Sequence, residues 1–171
     1  MKIWLMMFGI LGVGGVALAL YIGVQSSNSH PTPEEALHAE RHGREVIRVL
    51  DTVFHDNGNA AYVVYITEDN QLEESLAVAS FDGNRFGWRY RSRINLGDTD
   101  LIPYGNFTAA GGFVAGYAPD EASAVRFDDY HAMLTPVDGQ NVWILHDPSS
   151  DDLETASIRF YNSNGAPIDI D

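Results

Sequence analysis

The sequence predicts a mainly β protein: an antiparallel β-sandwich or open barrel built from hairpins, preceded by one transmembrane helix and a short stalk helix. Three observations carry that expectation. Four Asn-Gly or Asp-Gly pairs (Asn57-Gly58, Asp82-Gly83, Asp138-Gly139, Asn164-Gly165) punctuate the chain. Such pairs favour tight hairpin turns, whose central residues take positive φ. The runs between them are short and apolar-rich, at strand length and spacing. Finally, Ile3 to Val24 carries no charge over 22 positions.

The elements follow in order. As a helix, Ile3 to Val24 would span about 33 Å, enough to cross a hydrocarbon core of about 30 Å. Trp4 and Tyr21 lie near its ends, where interfacial aromatics are favoured. Lys2 and the amino terminus are positive, whereas Gln25-Ser26-Ser27-Asn28 is neutral. The positive-inside bias therefore places Met1 in the cytoplasm and the rest outside the cell membrane. The stretch also fits a cleaved secretory signal, with Ala17-Leu18-Ala19 as the small-x-small site. Continuation of the apolar run through Leu20, Tyr21, Ile22 and Val24 favours the retained anchor. Both readings export the remainder. Gly15, Ala19 and Gly23 recur every four residues, a spacing that lets two membrane helices approach as a homodimer.

Residues 25–31 read as a polar linker. Thr32-Pro33-Glu34-Glu35 is a helix start, with Thr32 as N-cap, Pro33 in the first turn and Glu35 completing a capping box. The expected helix runs to His42 and stops at Gly43. Its apolar content (Ala36, Leu37, Ala39) is thin, which suits a stalk or edge helix. Glu45 to Phe54 reads as a strand, although part of it also fits a helical period continuing from Thr32. Ala60 to Thr67 is a strand. Ser75 to Phe81 and Arg85 to Ile94 form a hairpin about Asp82-Gly83. Asn106 to Ala118 holds two short strands around Gly111-Gly112. Ala122 to Phe127 and Tyr130 to Pro136 follow, and Asp138-Gly139 turns into Asn141 to His146. Ala156 to Tyr161 and Ala166 to Ile170 flank Asn164-Gly165. The expected organisation is an anchor (1–24), a linker with a short helix (25–43) and an extracytoplasmic β-rich domain (44–171). One core is favoured over two lobes, because half-domains of about 60 residues bury too little surface without staples.

The anchor, the Thr32-Pro33-Glu34-Glu35 helix start, the Gly87-Trp88 pair, Trp143-Ile144 and the Asn164-Gly165 turn together resemble a group of small membrane-anchored exported proteins of Gram-positive bacilli. The resemblance covers most of the chain. It implies an exported, anchored, β-rich protein and brings no catalytic residues with it.

Composition narrows the function. The chain has 171 residues and a net charge of −14. Lys2 is its only lysine, so residues 25–171 carry nine Arg against 24 acids, a net of −15. That balance argues against nucleic acid as a partner and against docking of the domain on an anionic lipid surface. The absence of cysteine excludes disulfides, thiolate metal sites, cysteine nucleophiles and a lipidated N-terminal cysteine. Gly-x-Ser-x-Gly, Ser-x-x-Lys, P-loop and dinucleotide fingerprints do not occur.

Three constellations remain. Arg85, Arg89, Arg91 and Arg93 occupy odd positions of one expected strand, opposite Phe86, Trp88 and Tyr90. They would form an anion or partner site, or pair across strands with Glu73, Glu74 or Asp82. His38 and His42 are four apart on the expected helix and could chelate a divalent metal with a third ligand. Asp147, Asp151, Asp152 and Glu154 gather oxygen ligands that suit calcium, without EF-hand spacing. No other cofactor is expected. The sequence thus points to a non-enzymatic binding or sensing module at the cell surface, its partner an envelope protein or polymer. The alternative is an envelope hydrolase or metal-dependent enzyme using the acidic loops.

Overall fold

The computed structural model describes residues 24, 26–40, 46–68, 74–97, 104–149, 153 and 157–170. The helix described along its whole length is α1 (Pro33–Ala39), followed by β1 (Val46–Phe54), β2 (Ala60–Glu68), β3 (Glu74–Asn84) and β4 (Gly87–Gly97). Next come β5 (Thr108–Ala110), β6 (Phe113–Ala118), β7 (Ala124–Phe127) and β8 (Tyr130–Val137). The last strands are β9 (Gln140–His146), β10 (Ile158–Tyr161) and β11 (Pro167–Ile168). They make two antiparallel sheets. The first is the meander β1-β2-β3-β4, and the second has the order β11-β10-β7-β8-β9-β6-β5.

Turn chemistry explains three of the four expected hairpin signals. Asp138 (φ 51) and Gly139 (φ 82) join β8 to β9 across the pair Val137↔Gln140, the two positive φ values that a two-residue hairpin needs. Asn57-Gly58 lies between β1 and β2, and Asn164-Gly165 between β10 and β11. Asp82-Gly83 is the exception. The strands run past it, and the turn falls at Arg85-Phe86, inside the pair Asn84↔Gly87. Gly83 stays in the ladder because the Trp88 ring lies across it, where a Cβ would sit 3.1 Å from the ring. Asn84 Oδ1 then accepts from the Phe86 N–H at 2.8 Å and holds the later turn.

The two sheets share one apolar cluster. Tyr62, Val64, Leu76, Val78, Ile94 and Leu96 of the first meet Phe113, Tyr117, Val142 and Ile144 of the second. The opposite face of each sheet is also covered. On the first, Ala61, Val63, Tyr65, Ala77, Ala79 and Phe81 pack with Ala36 and Leu37 of α1. On the second, Val114, Trp143 and Leu145 pack with Val125, Phe127 and Phe160. Those last three come from β7 and β10 of the same sheet, so the sheet curls back over its own outer face. The bend lies in β8, where Tyr130 to Ala132 pair with β7 and Met133 to Val137 pair with β9. Burial on both faces explains why β2 and β6 read as continuous apolar runs rather than alternating ones.

Two expectations about α1 are corrected. It ends at Ala39, with Glu40 already extended (φ −76, ψ 116), and does not run to His42. It is also a lid on the first sheet rather than a stalk, with Ala36 2% and Leu37 5% exposed. The N-cap is as expected: Thr32 Oγ1 accepts from the Glu35 N–H at 3.2 Å. Burial alone would raise the Glu34 carboxyl, but hydrogen bonds from Thr52, its own backbone and Thr32 outweigh it and hold the group below the usual range. The helical alternative for Glu45 to Phe54 gives way to a strand, because β1 finds its backbone partners in β2. Among the described residues no helix is long and apolar enough to cross a membrane. Residues 3–23, including Gly15, Ala19 and Gly23, lie outside the described set.

Trp143 is fully buried, contacts Phe107 and Phe127 edge-on or tilted, and donates from Nε1 to the Tyr117 carbonyl at 3.2 Å. Trp143→Ala therefore removes a large buried ring and the Nε1 hydrogen bond to that carbonyl. The expected loss is about 3–5 kcal/mol, read as a fall in the urea midpoint of unfolding. A loss below about 1 kcal/mol would mean that the curled sheet refills the space.

Candidate functional site

The row of arginines does not form one face. Opposite β3, the pairing jumps from Ser80↔Ser92 to Phe81↔Tyr90, which leaves Arg91 as an extra residue in β4. Such a bulge puts two consecutive residues on one side and reverses the alternation beyond it. Trp88 and Tyr90 accordingly pack on the α1 side, whereas Ile94 and Leu96 pack between the sheets. Arg89 and Arg91 lie opposite Tyr90, toward the second sheet. Arg93 falls on the α1 side, in a 20 Å³ crevice with Glu40, Tyr65 and Tyr90. Burial raises the Tyr90 hydroxyl, with Arg93 pulling the other way. Arg85 sits in the turn, its guanidinium 4.5 Å from the Phe86 ring centroid.

The cross-strand pairing expected with Asp82 does form. Arg91 Nη1 lies 3.5 Å from Asp82 Oδ1, and Arg89 is opposite Asp82 in the register. Arg91 also reaches the second sheet. Gly112 takes φ 87, a conformation that strains any other residue, and a Cβ there would sit 2.6 Å from Arg91 Nη2 and 3.1 Å from Asp147 Oδ1.

The polar groups that converge carry no shared motif in the sequence. His55 ends the β1 side of the first hairpin, His146 ends β9, and their ring centroids are 4.4 Å apart. The hydroxyl of Tyr62, from β2, is hydrogen-bonded to His146 Nδ1 at 2.5 Å and so ties the two sheets together. Burial chiefly pushes the Tyr62 hydroxyl up; Arg91 opposes this, and Asp147 and Asp82 reinforce it. His146 is held below the ordinary imidazole value, first by burial and then by His55, with Arg91 adding to this and Asp147 and Asp82 opposing it. Asp147 follows in a left-handed conformation (φ 48), its N–H donating to the Gly112 carbonyl at 2.7 Å.

Beside this contact opens a cleft of about 180 Å³. It exists because β8 leaves β9 at Met133↔Ile144, so Leu145 and His146 pair only with β6. His55 and Asp56 form one wall, Tyr130 and His131 another. Three of the chain's six histidines thus line one opening. Each stands at the end of a strand, which is visible in sequence, but nothing local links residues 55, 131 and 146.

The other expected site residues do not gather in the described part. His38 is exposed on α1, and the helical register that would stack His42 over it ends at Glu40. His42, Asp151, Asp152 and Glu154 lie outside the described residues. Among the described residues no group of three His, Asp or Glu side chains is placed to hold a metal ion. No family model, curated protein or solved structure matches this chain.

Two outcomes follow from this geometry. His146 has a lower value folded than the 6.5 of the unfolded chain, so on acidification the unfolded state takes the proton first. Its contribution to stability is complete above pH 6.5 and is lost as pH falls below that value toward the folded one. Urea unfolding should therefore show stability rising from pH 5 to 7.5, with a smaller rise in His146→Gln; equal slopes would remove His146 as the cause. The Arg91–Asp82 pair is half exposed and long, so Arg91→Ala should cost under about 1 kcal/mol. A loss of several kcal/mol in the same assay would show that Arg91 holds the bulge itself.

Proposed function

We propose that this chain is a single-pass, membrane-anchored extracytoplasmic protein, and that its β-rich part is a non-enzymatic binding or sensing module at the cell surface. The observation that carries the reading is the uncharged run Ile3 to Val24 ahead of an acidic chain without cysteine. The resemblance of that layout to exported, anchored proteins of Gram-positive bacilli supports it. Binding is favoured over catalysis by the cleft between the sheets. At about 180 Å³ it is smaller than the roughly 300–1,000 Å³ of sites that bury a drug-sized ligand, and suits one small ligand or one group of a larger partner. Asp56 is the single carboxylate among its described lining residues, whereas a glycosidase needs an opposed pair. The natural partner in this reading is an envelope protein or polymer that offers one small group to the cleft.

The absence of cysteine makes the location directly testable. Ser163→Cys places one thiol in an exposed stretch near the turn between β10 and β11. A membrane-impermeant maleimide should label it on intact cells, and the labelled chain should sediment with membranes. Labelling only after lysis would overturn the export reading. Labelled protein in the medium would mean cleavage after Ala19 in place of a retained anchor.

A further inference from the structure

We propose that the cleft where β8 parts from β9 binds one neutral sugar ring, taken as a free sugar or as a unit of an envelope glycan. This rests on the reading of the domain as a binding module and names the chemistry of its ligand.

Size comes first. A cleft of about 180 Å³ has room for several waters, or for one six-membered ring with its hydroxyls in their place. Charge comes next. The described lining contains Asp56 and neither Arg nor Lys, in a chain of net charge −14, which disfavours an anion. A metal cation is disfavoured by the absence, among the described residues, of three ligands placed to converge.

What the cleft offers is an apolar floor beneath polar walls. Met133 and Ile144 lie toward the inter-sheet cluster. Tyr130, at 49% exposure, presents an aromatic ring at the rim. A pyranose has the same division, with C–H faces that suit an aromatic ring and an equator of hydroxyls that both donate and accept. The Asp56 carboxylate accepts from such hydroxyls, and imidazole nitrogens pair with them as donor or acceptor. His146 is already oriented. Its Nδ1 is used by Tyr62, so Nε2 is the polar atom left for a ligand, whichever tautomer holds. The walls come from three parts of the chain (the β1–β2 turn, the start of β8 and the end of β9), so the opening is set by the sheets and not by a single loop.

The test uses the full chain in detergent micelles, observed through its amide spectrum. The probes are glucose, galactose, mannose, N-acetylglucosamine and the tetrasaccharides of glucose and N-acetylglucosamine. At least one should shift the signals of Tyr130, His131 and His146 saturably at millimolar concentration or below. Tyr130→Ala and Asp56→Asn should each weaken that binding by about tenfold or more, while Tyr130→Phe, which keeps the ring, should retain most of it. Tighter binding of a tetrasaccharide than of its monomer would assign the glycan as the source; equal binding would assign the free sugar. Silence from every sugar would overturn the proposal, as would binding that Tyr130→Ala and Asp56→Asn leave unchanged. Phosphate, glutamate and calcium form a separate arm. A shift at the cleft with one of these and with no sugar would overturn the sugar assignment and leave the binding-module reading standing.

Discussion

The contact between the inner faces of the two sheets is the constraint on which the rest depends. Tyr62, Val78, Ile94 and Leu96 on one side and Phe113, Tyr117 and Ile144 on the other are almost wholly removed from water. Burying a large apolar side chain contributes about 1.5–3 kcal/mol, so this cluster is the largest shared source of cohesion between the sheets. Closing it also decides the outer layers. Strands that give one apolar face to the partner sheet still carry apolar residues on the other. Those faces are covered by α1 on the first sheet and by the curl through β8 on the second. A seven-residue helix with three buried side chains is sufficient for the first task, because the small residues Ala61, Ala77 and Ala79 let it approach closely.

Polar groups at the sheet boundary add register rather than much net stability. Thr135 donates to Asp51, Tyr117 to the Gly97 carbonyl and Arg48 pairs with Asp138, each link running between the sheets. The Arg48–Asp138 pair is more than half exposed on both sides, and pairs of that kind contribute at most about 1 kcal/mol. The bulge at Arg91 belongs to the same boundary. It turns Ile94 and Leu96 into the inter-sheet core while leaving Trp88 and Tyr90 on the outer face, and it brings Arg91 toward Gly112 and Asp147. An ordinary strand could not satisfy both faces with this order of residues.

The same boundary makes the cleft. A strand that must pair with β7 at one end and β9 at the other cannot stay beside both, and where β8 bends away it uncovers the end of β9. The histidine pair lies at that opening, with the buried Tyr62 hydrogen-bonded to His146. The Tyr62–His146 bond that ties the sheets together therefore borders the cleft.

Much of the fold was legible in the sequence, because its signals are local. Asp138-Gly139 specifies its turn through the φ angles its two residues tolerate, and Thr32 caps the helix that follows it through the N–H three positions on. The extended runs of β2, β6 and β9 announce strands through composition alone. Where sequence reasoning failed, the deciding contact was remote. Asp82-Gly83 is turn chemistry overruled by the Trp88 ring across it, and the arginine row was broken by a bulge that alternation cannot foresee. α1 reads as a stalk until the sheet beneath it is known. His55, His131 and His146 show no relation along the chain, for their convergence is a property of two sheets closing on each other. The sequence by itself determined which segments are extended, where most of them turn, and the acidic, cysteine-free character of the molecule. The tertiary structure alone decided which faces those segments bury and which side chains meet, because both depend on long-range packing that no local pattern encodes.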